Sequence, residues 1–181
     1  MLIRHNRVWR KAMGITYAEI KKKREDVEAA RFERANTVCS EAEHLVEQYR
    51  KSLGLESETW TDIKGVNLPY VSVGRLYDTT FRKSDLSGID LNEDYGIDFA
   101  ISTVTDDSPR GGDFSVVRIN LRLQNTSGTI KVVVDNDKTF LVEVKENKYA
   151  GVCEEIKLKV LSSLNDPNLA LEEHFSTFIP R

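Results

Sequence analysis

The sequence has few of the residues that build disulfide frameworks and zinc sites. Its 181 residues include two cysteines, four prolines and three histidines. Cys39 and Cys153 stand far apart and form no CxxC pair, so we expect free thiols. The histidines at 5, 44 and 174 are too scattered for a local Cys/His zinc site. Free thiols favour a cytoplasmic protein over a secreted one.

Long apolar runs are also missing. No uninterrupted stretch approaches the ~20 residues that a membrane helix requires. The N-terminal stretch MLIRHNRVWRKAMG has no apolar h-region, so we expect no signal peptide and no membrane partner. The patterns GxxxxGK[ST], GxGxxG, GxSxG and HExxH do not occur, which argues against the nucleotide-binding and hydrolase classes that they mark.

Charge is distributed unevenly along the chain. The formal net charge is −3, but residues 1–24 hold eight basic residues and one acidic residue, a charge of +7, so the remainder carries −10. Such a basic segment suits nucleic acid, anionic lipid, or an acidic face of a partner or of its own protomer, and the other interpretation is a solvated helix face. Its candidate partner-binding residues are Arg7, Trp9, Arg10, Lys11, Lys21, Lys22, Lys23 and Arg24. Trp9 could insert into a partner or anchor the segment in a core.

The N-terminal third predicts helix. Thr16–Glu19 has the form of a capping box, and the residues that follow are rich in Lys, Glu, Arg and Ala. Ser40–Glu43 repeats the capping pattern, so the segment is either one long helix or a helical hairpin. Gly54 is the expected stop.

A heptad seam of small and apolar residues crosses the second half of this segment. Its steps of three and four predict packing against another helix or a sheet. The alternatives are a helix that packs on its own domain and a coiled coil that forms a homodimer. The seam residues are Phe32, Ala35, Cys39, Ala42, Val46, Tyr49 and Leu53.

From residue 59 the apolar period changes to two, which predicts strands. The clearest strand is 114–124, where apolar and polar residues alternate, and turn chemistry separates it from strands at 129–134 and 139–145. Further strands are expected at 70–77, with Gly74 as a bulge, and at 97–104. A helical pattern returns at 149–164. The predicted fold is α+β: a helical arm, residues 1–54, and a domain, residues 55–181, in which a C-terminal helix covers an antiparallel meander.

One pattern on the strands concerns catalysis. Asp98 lies on one predicted strand, and Glu143-Val-Lys145, flanked by apolar residues, lies on a later one. This arrangement resembles the metal-dependent PD-(D/E)xK nuclease family. The resemblance implies that Asp98 and Glu143 hold Mg²⁺ or Mn²⁺ and that Lys145 activates the attacking water. The other interpretation is a lattice of charges across an exposed sheet face, formed by Asp98, Arg118, Arg122, Lys131, Glu143 and Lys145.

The sequence therefore leads to one main expectation and two alternatives. We expect a non-enzymatic cytoplasmic interaction protein of the adaptor, inhibitor or immunity type, without a cofactor. It would dock a protein partner, or a second copy of itself, through the basic N-terminal helix. The alternatives are the metal-dependent nuclease and a non-catalytic nucleic-acid-binding protein that uses the same basic segment.

Overall fold

The computed structural model describes residues 15–124, 128–143 and 147–165. The chain divides into two compact units, residues 1–34 and 35–181. The boundary predicted from the sequence is residue 54. The division lies nearer the N-terminus because the residues of the first helix from Val38 to Tyr49 belong to the core of the second unit.

The described chain contains two helices and eight strands, with one short 3₁₀ turn at Leu86–Gly88. The helices are α1 (Tyr17–Ser52) and α2 (Ala150–Ser163). The strands are β1 (Thr59–Thr61), β2 (Asn67–Pro69), β3 (Val71–Tyr77), β4 (Thr80–Lys83), β5 (Ile97–Val104), β6 (Phe114–Leu123), β7 (Ile130–Val134) and β8 (Lys138–Val142).

Helix α1 begins with the predicted capping box. The Thr16 amide donates to Glu19 Oε2 over 2.7 Å, and the Glu19 amide donates back to Thr16 Oγ1 over 3.3 Å. The Thr16 hydroxyl also donates to Glu19 Oε2, over 2.9 Å, and the bonds from the Thr16 amide and then the Thr16 hydroxyl lower the pKa of Glu19. The helix then continues without a break through the second capping pattern, so one long helix forms instead of a hairpin. It ends before Gly54, which has φ +63° as a helix stop requires.

Six strands form one antiparallel sheet in the order β4-β3-β5-β6-β7-β8. Every neighbouring pair is antiparallel, so the predicted α+β fold and its meander are confirmed. Strands β1 and β2 form a separate small hairpin. The sheet therefore grows largely by local hairpins, which short polar turns make possible.

One face of this sheet, the inner face, carries the core. Its buried residues alternate along β6 and β7, for example Val117, Ile119 and Val132. The C-terminal half of α1 and the whole of α2 supply the residues that complete the cluster, including Leu45 and Ile156. Both helices lie against this face, where the buried positions of β6 and β7 alternate with more exposed ones.

Two local expectations need correction. Gly74 does not form a bulge, because its pairing with Ala100 and with Lys83 continues the regular register. It is a glycine because a Cβ there would lie 2.1 Å from the carbonyl oxygen of Arg82. The residues between the strands predicted at 70–77 and 97–104, for which the sequence pattern predicts no element, contain β4, a short edge strand that pairs with β3 directly after the turn at Asp78 (φ 53°).

Candidate functional site: an exposed helical segment and a polar sheet face

The N-terminal part of α1 has no buried side chain. Every residue from Ile15 to Glu33 is exposed. Large apolar side chains are among them: Tyr17 is 79% exposed, Ile20 57% and Phe32 70%. Burying such side chains is favourable by roughly 1.5–3 kcal/mol each, so an apolar surface of this extent is available to a partner.

The charges on this segment, which we call the exposed segment (residues 17–33), are only partly compensated. Lys21 lies 3.8 Å from Glu25, and Arg31 lies 3.3 Å from Glu28. No ion-pair partner is found among the described residues for the run from Lys22 to Arg24. Exposed pairs of this kind contribute little to stability, so these charges are free to serve recognition.

The heptad seam divides between two environments. Phe32 is exposed, whereas Ala42, Val46 and Tyr49 are buried in the core with at most 3% exposure. The Tyr49 hydroxyl also bonds Thr103 Oγ1 at 2.9 Å inside the core. Ala35, Cys39 and Leu53 are half-buried. The C-terminal part of the seam therefore packs on the sheet of its own chain.

The residues Arg7, Trp9, Arg10 and Lys11 lie outside the described residues, as does Lys145. The structure thus places only the Lys21–Arg24 part of the basic segment and two of the three candidate nuclease residues.

Asp98 and Glu143 are both exposed. Asp98 is exposed between two buried neighbours on β5, and Glu143 is exposed directly after buried Val142 at the end of β8. The strands β6 and β7 lie between them, so they are three strand spacings apart, roughly 14 Å across the sheet. One divalent ion cannot bind both carboxylates, because its oxygen ligands lie within about 2.6 Å of it.

No cluster of three or more His, Cys, Asp or Glu side chains that could hold a metal ion occurs in residues 15–124, 128–143 and 147–165. The structure therefore does not bring the predicted ligand pair together. It gives Asp98 other partners: its carboxylate accepts one bond from Asn120 Nδ2 and one from Asn92 Nδ2, each over 2.7 Å.

These groups belong to the second face of the sheet, the outer face, on which Asp98, Arg118, Asn120, Arg122 and Lys131 alternate with the core residues. The predicted charge lattice is not realised as ion pairs within the described part of the chain. Arg122 instead pairs with a turn residue, since its guanidinium lies 2.7 Å from Asp94 Oδ2. The partners of Arg122 and Asp98 on the outer face are thus a turn residue and two side-chain amides.

A third group of polar residues joins α1 to the start of α2. The Tyr149 hydroxyl donates to Glu41 Oε2 over 2.6 Å, and Lys148 Nζ lies 2.5 Å from the same oxygen. Burial pushes the pKa of Glu41 upward, but bonds from Lys148 and Tyr149 outweigh burial and lower it. Burial, followed by the bond to Glu41, raises the pKa of Tyr149. We call these three residues the Glu41 cluster and assign it a structural role.

Sequence reasoning missed the partners of Asp98 and the whole Glu41 cluster. The asparagines lie 6 and 22 residues from Asp98, and Tyr149 lies 108 residues from Glu41. One feature of the sequence indicates a turn near Asp98: Asn92 stands four residues before Gly96, and the side chain of an Asn in a turn bonds backbone amides. Its Oδ1 accepts from the amides of Asp94 and Gly96.

Comparisons of the chain with models of known protein families, with curated proteins and with solved structures found no match. In the part of the chain that the structure describes, neither helix combines the length and the apolar content needed to cross a membrane.

Proposed function

We propose that this is a non-enzymatic interaction protein that binds a protein partner through the exposed segment of α1. The observation that carries the proposal is the continuous exposure of residues 15–33, apolar side chains included. Most of the stability of helices in proteins comes from the packing of one face, and residues 15–33 have no such packing on the described part of the chain. A partner surface would supply that packing.

The sequence spacing suggests which side of the helix makes contact. Ile20 and Val27 are seven residues apart, and Tyr17 precedes Ile20 by three, so they lie along one stripe. Arg24 falls within that stripe and Lys21 and Lys23 flank it, whereas Lys22 lies on the opposite side of the helix. The complementary partner offers an apolar groove with an acidic rim, a helix-in-groove mode of binding.

The decisive experiment begins with identification of the partner. In one variant of the full chain, a photo-crosslinking residue replaces Ile20. In a second variant of the same chain, it replaces Arg110, which lies on an exposed loop of the second unit. A partner crosslinked only from position 20 is purified, and its affinity is measured. Reversal of Lys21–Arg24 to glutamate should abolish binding while the circular dichroism spectrum stays unchanged.

The matched control reverses four cations elsewhere: Lys64, Lys83, Arg110 and Lys131. That variant should bind normally, because none of these residues lies on the exposed segment. Equal binding by the Lys21–Arg24 variant and the wild type would refute the proposal. A crosslink from position 20 to a second copy of the chain would make the partner the protein itself.

The nucleic-acid alternatives are separated by a gel assay with labelled DNA and RNA, in Mn²⁺ or in EDTA, at two salt concentrations. We expect an unshifted and intact probe. Metal-dependent cleavage that Glu143→Ala abolishes would favour the nuclease instead. A shift that needs no metal and weakens steeply with salt would favour a nucleic-acid binder.

A further inference from the structure

A cleft of about 430 Å³ opens in the sheet at the point where β3 separates from β5. The two strands pair as far as Gly74 and Ala100, and beyond Gly74 the strand β3 pairs with β4 alone. The cleft is lined by residues of both strands and by Arg118 and Asn120 of β6. It is large enough for a molecule of amino-acid size.

One wall of the cleft carries a positive charge that has only a neutral partner. Arg118 donates from one guanidinium nitrogen to the carbonyl oxygen of Asp78 over 3.1 Å. None of the carboxylates in the described residues lies within 4 Å of this guanidinium. Because a guanidinium has five N–H donors, the bond to Asp78 fixes its position and leaves donors available to a ligand.

The cleft also contains a negative charge with only neutral partners. Asp98 accepts its two bonds from the Asn92 and Asn120 amides and has no cationic group within 4 Å among the described residues. Asn92 is itself held by the turn that precedes β5. A carboxylate has about four acceptor positions, so part of its capacity remains free and already oriented.

The register places the two charges near each other without pairing them. Asp98 is opposite Asn120, and Arg118 is opposite Ala100, so the two charged residues are diagonal neighbours on the outer face. Cβ atoms in such positions lie roughly 7–8 Å apart, near enough for long side chains to meet. Each side chain is instead held by its own neutral partner, and the cleft lies beside both.

We propose that this cleft binds a small zwitterion of the α-amino-acid class, with the ligand carboxylate on Arg118 and the ligand ammonium on Asp98. A ligand that carries both charges a short distance apart satisfies both groups at once. Charge-assisted hydrogen bonds of this kind are stronger than neutral ones. Leu76, Tyr77 and Ile89, which also line the cleft, provide an apolar surface for the ligand side chain.

The test titrates the ¹⁵N-labelled full chain with L-phenylalanine and follows the side-chain amide signals of Asn92 and Asn120 by NMR. Two further probes each lack one charge: N-acetyl-L-phenylalanine has no ammonium group, and phenethylamine has no carboxylate. We expect L-phenylalanine to shift both amides, and each single-charge probe to bind about tenfold more weakly or worse. Absence of any shift with L-phenylalanine, or equal affinity for all three probes, would overturn the proposal.

Variants assign the two charges. Arg118→Gln and Asp98→Asn should each weaken L-phenylalanine binding about tenfold or more. Lys131→Gln is the matched control, because Lys131 lies on the outer face and does not line the cleft. Unchanged affinity in both cleft variants would contradict the assignment. The comparison of probes needs no substitution, so it decides the question even where a variant fails to fold.

Discussion

Replacing Tyr149 by phenylalanine removes one hydroxyl from the interior and leaves the ring in place. That hydroxyl donates to Glu41 over 2.6 Å, and the residue is 0% exposed. A hydrogen bond to a charged group contributes about 1.5–3 kcal/mol. Because Glu41 keeps its contact with Lys148, we expect the lower end, a loss of about 1.5 kcal/mol in the free energy of unfolding. That loss corresponds to a fall of about 3–6 °C in Tm for a chain of this size.

The assay is urea unfolding of the full chain at neutral pH, followed by circular dichroism. The matched control is Tyr17→Phe, because Tyr17 is 79% exposed and should lose almost nothing. The m value should stay the same in both variants, since neither changes the surface exposed on unfolding. A loss below about 0.5 kcal/mol, or a loss equal to that of Tyr17→Phe, would refute the role given to the Glu41 cluster.

The stability difference between the wild type and Tyr149→Phe should also depend on pH. Burial and the bond to Glu41 raise the pKa of Tyr149 above its ordinary value of 10.0, so the folded protein holds this proton more tightly than the unfolded chain. Its contribution to stability is complete below pH 10 and is lost as the pH rises further, at up to about 1.4 kcal/mol per pH unit. The difference between wild type and Tyr149→Phe should therefore shrink above pH 10. A constant difference would contradict this reasoning.

Two further predictions concern the core. Leu45→Ala should lower the free energy of unfolding by about 2–5 kcal/mol, because the fully buried Leu45 side chain of α1 leaves a cavity against the sheet. Urea unfolding measures this loss. A loss under about 1 kcal/mol would mean that the helix does not pack there. Burial raises the pKa of the Cys153 thiol to about 11. In a Cys39→Ala variant, which leaves Cys153 as the only thiol, this thiol should react with an aromatic disulfide reagent only after denaturation. Rapid reaction in the native protein would contradict the burial of Cys153.

Local patterns in the sequence predicted most of the fold. The capping box at Thr16–Glu19 and the stop at Gly54 are satisfied by neighbours within a few residues, and the alternation along β6 needs only a buried and an exposed face. Strand β4 was not predicted, because four residues are too few to show a period. It forms because the turn at Asp78 returns the chain alongside β3.

The candidate sites were less predictable because they depend on register. Whether Asp98 and Glu143 meet is decided by two intervening strands, and the same residue types could have been adjacent in another strand order. The seam shows a related limit. Its period indicates that Ala42 and Tyr49 pack against something, but a period cannot tell a sheet of the same chain from a helix of a second copy.

The long sequence separations within the core have a consequence for synthesis on the ribosome. Helix α1 emerges first, but Tyr49 meets Thr103 54 residues later, and Glu41 meets Tyr149 only after 108 residues. At about 5–20 residues per second, the apolar face of α1 waits roughly 5–20 seconds for its last partner. During that interval the growing chain presents Val38, Leu45 and their neighbours to any chaperone near the exit tunnel.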